Sequence, residues 1–149
     1  MKFILHHFQD LSVHQLYAIL QLREEVFQIE QNCIYKDVDD KDKFCWHLML
    51  YSQDELVAYC RLVPQKISYE NYVSIGRVVS KTHYRKLGYG RQLMEEAMRQ
   101  MEILFPTKSI KISAQYYLVR FYESYGFKVV GEQYIEDLLP HIAMIKNGN

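Results

Sequence analysis

Apolar and polar positions change period several times along the chain, and each change predicts a helix or a strand. Short runs rich in β-branched and aromatic residues predict strands over 2–8, 45–51, 56–63, 69–79, 108–114, 127–135 and 141–146. Apolar residues three and four positions apart predict helices over 13–31, 89–104 and 116–125. The first helical stretch fits either two consecutive helices or one bent helix. The order β-α-β-β-β-α-β-α-β-β predicts an α/β protein of mixed α+β type, with helices packed on a mixed sheet.

Residues at the ends of these elements support the assignment. Ser12 and Gln15 have the spacing of a capping box, in which each side chain bonds the backbone of the other at a helix start. Residues 52–55 form a turn that predicts a hairpin between two neighbouring strands. Gly126 follows the last predicted helix, where a left-handed residue commonly ends a helix.

Composition sets the broad class. A chain of 149 residues is expected to form a single domain over 1–149. No apolar run is long enough to span a bilayer, and the first residues are too polar for a secretory signal, so we expect no membrane partner. Three cysteines without CxxC spacing predict reduced thiols, a cytoplasmic protein and no metal site. A formal net charge of zero argues against a nucleic-acid partner.

A basic turn stands out within this neutral chain. No Asp or Glu occurs between Glu70 and Glu95, and the centre of this stretch carries the candidate anion-binding residues Arg85, Lys86, Leu87, Gly88, Tyr89, Gly90 and Arg91. The glycines allow a close backbone approach to a ligand, and the helix that follows presents free N–H groups and a partial positive charge. The stretch therefore predicts a phosphate-binding turn.

Other phosphate-binding motifs do not fit this turn. The chain lacks the Gly-x-x-x-x-Gly-Lys-Ser/Thr loop of nucleoside triphosphatases and the third glycine of a dinucleotide fingerprint. The remaining pattern, Arg85-x-x-Gly88-x-Gly90, resembles the acetyl-CoA pyrophosphate loop of the GNAT superfamily of N-acetyltransferases. Taken alone, the motif also fits a glycine-containing turn before an ordinary amphipathic helix.

A second motif strengthens the resemblance. The family has an Asn seven residues before a Tyr in a Phe/Leu-Tyr-Glu-x-x-Gly-Phe sequence, and Gln115 and Tyr122 hold these two positions. Residues 22–33, 75–79 and 136–142 resemble the ElaA-type branch of the superfamily. This chain departs from the branch at Ile34, where Pro is usual, and at Asp40 and Leu138, where Gly is usual. The resemblance implies a GNAT-like fold with a central mixed, mostly antiparallel sheet flanked by helices.

The resemblance implies transfer of acetyl from acetyl-CoA to a primary amine of a small molecule or peptide, by direct attack on the thioester. The pyrophosphate would bind the backbone from Lys86 to Arg91. Pantetheine would pair with the strand edge at Val78 and Val79, one of whose N–H groups would stabilise the thioester oxygen. Tyr122 would help the CoA sulfur to leave, through a hydrogen bond or through a lowered pKa, since an ordinary phenol is a weaker acid than a thiol.

The proton acceptor for the amine is open at the level of sequence. Glu30, His47 and His141 are candidates because a carboxylate or an imidazole can accept a proton, and each of them also fits a structural role. Arg77 could contact phosphate, contact substrate or form an internal ion pair.

Two further features leave alternatives open. Residues 32–43 predict a solvated acidic loop, with attraction of a cationic substrate as the second interpretation. The exposed C-terminal strand pair could support a homodimer. A CoA-binding regulatory module without catalysis, a hydroxyl acceptor and another acyl-CoA are the alternative functions.

Overall fold

A computed structural model describes residues 1–82 and 87–149 of the chain. The strands are β1 (Lys2–His7), β2 (Trp46–Ser52), β3 (Glu55–Val63), β4 (Ser74–Ser80), β5 (Ile110–Gln115), β6 (Lys128–Glu136) and β7 (Leu139–Lys146). The α-helices are α1 (Val13–Arg23), α2 (Tyr89–Leu104) and α3 (Val119–Glu123), with a π-helical segment (Glu24–Glu30) directly after α1. Short 3₁₀ turns span Phe8–Asp10, Lys41–Phe44 and Tyr116–Leu118. This is the order of elements that the sequence predicts.

The strands form two antiparallel sheets that meet at one point. The first sheet has the order β1-β2-β3-β4 and the second has the order β5-β7-β6. A parallel bridge between Val73 and Ile110 joins them, with the Val73 N–H 3.2 Å from the Ser109 oxygen and the Lys111 N–H 2.9 Å from the Val73 oxygen. The predicted α/β fold is confirmed, and the parallel pairing in the described part of the chain is confined to this bridge. Within residues 1–82 and 87–149, the facing edges of β4 and β5 therefore have no strand partner beyond this bridge.

The first helical stretch is one continuous segment. The capping box is confirmed at its start, where the Gln15 N–H donates to Ser12 Oγ at 3.0 Å and the Ser12 N–H donates to Gln15 Oε1 at 2.9 Å. At Arg23 and Glu24 the backbone keeps helical angles while the hydrogen bonding changes to a π-helical pattern. Such single π-helical turns occur frequently at functional sites. Here the turn brings one side of the segment to a cavity described below.

Two helices cover opposite sides of the first sheet. The helix α2 packs Leu93, Met94, Ala97 and Met101 into the larger core cluster, and α1 packs a smaller cluster around Tyr59. β3 is buried along nearly its whole length because it lies between both clusters. Each fully buried large apolar side chain contributes about 1.5–3 kcal/mol. Among the helices of the described residues, none is both long enough and apolar enough to cross a membrane.

The C-terminal end of the chain completes the second sheet. Gly126 follows α3 with φ +94°, and its N–H donates to the Glu123 oxygen at 3.0 Å, as predicted for a left-handed helix end. β6 forms an edge of its sheet, and all of its residues are exposed. The homodimer through this strand pair stays a prediction.

Candidate active site

A cavity of about 690 Å³ lies where the two sheets separate. Its walls come from the facing edges of β4 and β5, the π-helical segment, α3 and the β6–β7 hairpin. Predicted site residues on these walls are Val78, Val79, Gly90, Gln115, Tyr122 and His141. The fold therefore brings together residues that lie more than sixty positions apart in the chain.

A bulge in β4 shapes one wall of the cavity. Gly76 pairs with Arg61 and Val79 pairs with Tyr59, so the β4 strand has one residue more than β3 between these pairs. Arg77 has φ +52°, a left-handed conformation that costs a residue with a side chain about 1 kcal/mol or more. The extra residue disrupts the ladder at the point where Val78 and Val79 line the cavity. The disrupted ladder therefore lies at the residues predicted to pair with pantetheine, and that pairing stays a prediction.

The glycine turn precedes α2 and opens to empty space. Gly88 is the N-cap of α2 with φ +79°, and the Gln92 N–H donates to its carbonyl oxygen at 3.1 Å. Among the described residues, and apart from the chain neighbours and the helix's own backbone, no atom lies within 4 Å of the position that a Cβ would take at Gly88 or Gly90. The N–H groups of the first helical turn have no acceptor within the helix. This space and these donors fit a phosphate group, whereas Arg85 and Lys86 lie outside the described residues.

Three other predicted residues of the turn take different positions. Leu87 is exposed. The Tyr89 hydroxyl lies 3.4 Å from Ser52 Oγ. The guanidinium of Arg91 lies over the ring of Phe121, 6.0 Å from its centre, and Phe121 lines the cavity. The positive charge of Arg91 is thus held beside the start of α2, close to the cavity wall.

Tyr122 occupies a buried position on the cavity wall. The residue is 7% exposed, and its ring packs edge-to-face against Phe121 at 5.2 Å and Phe127 at 6.2 Å between ring centres. Among the described residues, no hydrogen bond is made by its hydroxyl. Burial raises the pKa of Tyr122 above its usual value. This direction disagrees with the alternative of a lowered pKa and favours the neutral phenol.

Gln115 contacts a residue that sequence reasoning did not associate with it. Its side-chain amide forms a reciprocal pair with that of Gln31, at 3.4 Å and 3.3 Å between donor and acceptor atoms. Gln31 ends the helical segment that follows α1, so the pair connects the two halves of the cavity wall. Gln115, which stands where the family has Asn, therefore has a hydrogen-bond partner within the protein. A contact of Gln115 with CoA stays a prediction.

The three predicted base candidates lie in different surroundings. Glu30 is exposed and accepts a hydrogen bond from Thr82 Oγ1 at 2.6 Å. His47 is fully buried, with Nδ1 2.7 Å from the Tyr59 hydroxyl and Nε2 2.9 Å from the Asp42 backbone oxygen. Neither belongs to the described residues that line the cavity.

His47 and His141 differ in their access to the cavity. Burial lowers the pKa of His47, and both of its ring nitrogens are used in internal hydrogen bonds. These contacts contradict the prediction that His47 is the base. His141 lines the cavity and is therefore the candidate of the three that the structure favours.

The loop that was predicted to be acidic and solvated instead supplies the negative charges of a buried cluster of ion pairs. Asp37 and Asp42 are only 7% and 6% exposed. Ion pairs of 2.8–3.3 Å join three arginines to three aspartates, namely Arg23, Arg61 and Arg77 with Asp37, Asp39 and Asp42. We call this set the buried ionic cluster. Because the partners are distant in the chain, neither residue type nor spacing indicated the pairing, and the prediction of a solvated loop is wrong.

The cluster also decides between the three roles considered for Arg77. Its Nε lies 2.8 Å from Asp37 Oδ1 and its Nη2 lies 3.3 Å from Asp39 Oδ2, while its guanidinium lies over the Tyr35 ring at 5.7 Å. Arg77 is therefore a member of an internal ion pair. Since it is also the residue with positive φ in the bulge, its ion pairs hold the strained backbone in place.

Comparison with known proteins agrees with this geometry. The family model of the acetyltransferase (GNAT) domain matches residues 7–147. The chain belongs to the GNAT acetyltransferase family. Within that family it is similar to the protein ElaA of Escherichia coli, with 43% identity over 144 residues that cover 95% of this chain and 93% of ElaA.

Solved structures agree as well. The crystal structure of Escherichia coli ElaA matches with a TM-score of 0.92 and 40% identity over 99% of this chain and 100% of that chain. An acyl-CoA N-acyltransferase from Pseudomonas aeruginosa matches with a TM-score of 0.90 and 42% identity over 98% and 99% of the two chains. The PaiA N-acetyltransferase of Thermoplasma acidophilum, solved with coenzyme A, shares the fold at a TM-score of 0.69 and 18% identity over 99% of both chains.

Proposed function

We propose that the protein is an N-acetyltransferase that moves an acetyl group from acetyl-CoA to a primary amine of a small molecule or peptide. The observation that carries the proposal is one cavity lined by three parts: the bulged edge of β4, the glycine start of α2 and Tyr122. The GNAT domain match supports acyl transfer, and the relative from Pseudomonas aeruginosa is named an acyl-CoA N-acyltransferase.

The start of α2 would hold the pyrophosphate. Its free N–H groups and helix dipole favour an anion, and the open space at Gly88 and Gly90 lets phosphate oxygens approach the backbone. Each charge-assisted hydrogen bond of this kind contributes about 1.5–3 kcal/mol. Arg91 adds a full charge beside the turn, and Arg85 and Lys86 are expected from the sequence to add two more.

The edge of β4 would hold the pantetheine arm. β4 is the last strand of its sheet, so its outward N–H and C=O groups beyond Val73 can pair with the amides of an extended ligand as they would with another strand. An N–H of Val78 or Val79 would then donate to the thioester oxygen as negative charge develops on it. The position of both residues on the cavity wall supports this role.

Tyr122 would act on the leaving sulfur. The amine nitrogen forms a bond to the thioester carbon, and the bond from that carbon to sulfur breaks as the electron pair leaves with sulfur. Since burial raises the pKa of Tyr122 further above that of an ordinary thiol, full proton transfer to the thiolate is uphill. The neutral hydroxyl would therefore donate a hydrogen bond to the sulfur and keep its proton.

The test is thiol release from acetyl-CoA with a panel of polyamines, amino acids and peptides, for the wild type and two variants. Tyr122→Phe should lower kcat by about 100-fold, the effect typical of losing one donor to a developing anion, while CoA affinity stays unchanged. Tyr116→Phe makes the same chemical change at a partly exposed tyrosine that is not among the described cavity residues, and it should keep the wild-type rate.

The possible outcomes separate the alternative functions. Full activity of Tyr122→Phe would remove that residue from the mechanism. Saturable CoA binding without transfer to any acceptor would favour a regulatory module. Faster reaction with alcohols, or with a longer acyl-CoA, would favour the other acyltransferase activities. The cytoplasmic location, the absence of nucleic-acid and membrane partners, and the homodimer stay predictions from the sequence.

A further inference from the structure

A group of polar side chains lies on the cavity face of the second sheet. Ser113 Oγ donates to Glu136 Oε2 at 2.9 Å and also bonds the Tyr134 hydroxyl. The ring of Tyr134 stacks on that of His141, with 6.3 Å between ring centres, and His141 Nε2 lies 3.7 Å from Glu136 Oε2. Ser113, Glu136 and His141 all line the cavity. Glu136 and His141 lie on either side of the turn between β6 and β7.

The hydrogen bonds of His141 determine which of its nitrogens is available. Nδ1 lies 2.8 Å from the Leu139 backbone oxygen, which can only accept, so Nδ1 carries a proton and donates. In the neutral ring Nε2 is then an acceptor, and it faces a carboxylate oxygen of Glu136 that is also an acceptor. These two acceptors lie 3.7 Å apart, and no residue of the described part of the chain places a donor between them. A proton, or an N–H group of a bound ammonium ion, would satisfy both.

The charges around the cavity favour a cation at this position. The buried ionic cluster contains three arginines and three aspartates, so its formal charges cancel. Glu136 and Asp137 add two carboxylates on the hairpin side of the cavity, whereas Lys36 and Lys41 add two cations on the loop before β2. The negative charge is therefore concentrated beside His141.

Two neighbouring groups have raised pKa values, chiefly because they are partly buried. Burial, followed by the charge of Glu136, raises the pKa of Asp137, and Arg77 and His141 oppose this shift. Burial, followed by Tyr134 and Glu136, raises the pKa of Tyr69 to about 12. Glu136 thus contributes to both shifts as the smaller cause.

We propose that Glu136 binds the ammonium form of the acceptor and, together with His141, takes the proton that this group must lose before it attacks. The inference rests on the proposed function and adds Glu136, which the sequence did not single out, to its catalytic residues. The ammonium donates one proton to the Glu136–His141 pair, and the neutral amine then attacks the thioester. The second proton passes from the nitrogen to the thiolate as the amide forms, and the pair releases the first proton to solvent.

The experiment compares Glu136→Gln with Glu132→Gln in steady-state acetyl transfer to spermidine and to phenethylamine. Gln at 136 keeps an oxygen that can accept from Ser113 Oγ, so the variant removes the charge and keeps the local hydrogen bond. Glu132 lies on the same strand, is exposed and is not among the described residues that line the cavity, which makes it a matched control. Glu136→Gln should raise KM for both amines about tenfold and lower kcat, with KM for acetyl-CoA unchanged.

Each result decides between the two proposals. If the wild type acetylates an amine and Glu136→Gln matches Glu132→Gln in both KM and kcat, the inference is overturned and the proposed function stands. If the wild type binds acetyl-CoA and acetylates neither these two amines nor any member of the panel of polyamines, amino acids and peptides, both proposals are overturned together.

Discussion

Replacing the buried carboxylate of Asp42 should destabilise this protein more than replacing an exposed carboxylate. Asp42 Oδ1 accepts from Arg23 Nη1 and from Arg61 Nη1, both at 2.9 Å, and the residue is 6% exposed. Burial alone would raise the pKa of Asp42, but the two guanidinium groups outweigh it and hold the pKa below its usual value. Asp42→Asn keeps an accepting oxygen and removes the charge, so the cluster changes from neutral to one excess positive charge.

The magnitude follows from the loss of a partner in a buried ion pair. Leaving a buried charge unpaired costs about 3–5 kcal/mol, and the retained oxygen of Asn places the expected loss at about 3 kcal/mol. With a urea m-value of about 2 kcal/mol per molar, the unfolding midpoint should fall by about 1.5 M. The fluorescence of Trp46, the single tryptophan, reports the transition.

Asp40→Asn is the control, since Asp40 lies two residues away and carries the same side chain. It is exposed and pairs with the exposed Lys43 at 3.1 Å, so its loss should cost at most about 1 kcal/mol. Acid gives a further check on Asp42. Because its folded pKa is depressed, its stabilisation is present above the unfolded value of about 3.9 and is lost as pH falls through the folded value. Equal midpoints for the two variants, or a difference that persists at the lowest pH, would refute the reasoning.

Two smaller predictions concern His47 and Leu138. Burial lowers the pKa of His47, so below about pH 6.5 the unfolded chain takes up a proton first and wild-type stability falls as pH falls. His47→Gln should reduce the difference in unfolding free energy between pH 7.5 and pH 5.5, measured by urea titration, and should keep acetyl transfer at pH 7.5. An unchanged difference would contradict this account. Asp137 and Leu138 have φ +49° and +68°, as a type I′ hairpin turn requires, so Leu138→Gly should raise stability by about 0.5–1 kcal/mol. Leu138→Ala keeps the backbone strain, so it should not raise the thermal unfolding temperature. If both variants raise that temperature equally, relief of backbone strain is not the cause.

Local chemistry allowed several elements to be predicted closely. The helix predicted over 89–104 is α2 (Tyr89–Leu104), because its apolar spacing and preceding glycine are features of the segment itself. The capping box at Ser12 and the left-handed Gly126 were predicted for the same reason. The departures at Asp40 and Leu138, where the branch has Gly, coincide with positive φ values of 67° and 68°. The left-handed backbone conformation at these two positions therefore explains why Gly is usual there in the branch.

Predictions that depended on distant partners were less successful. The strand predicted over 69–79 is β4 (Ser74–Ser80), because β4 gains its pairing from β3 and the chain before it turns instead. The aspartates of the loop after residue 36 were interpreted as solvated, and only the folded chain shows the arginines that bury them.

The sequence by itself determined the order of elements and the position of the glycine turn before α2. These depend on residues close together in the chain, whose spacing expresses the periodicity of a helix or a strand. Anion binding by that turn stays a prediction, and so does the role of Tyr122 at the leaving sulfur, which the family resemblance implies. Tertiary structure alone decided that β4 and β5 separate, that His47 is enclosed, and that Glu136 stands beside His141. These facts depend on which distant segments pack together, since burial and the nearest charges determine what an ionisable side chain can do.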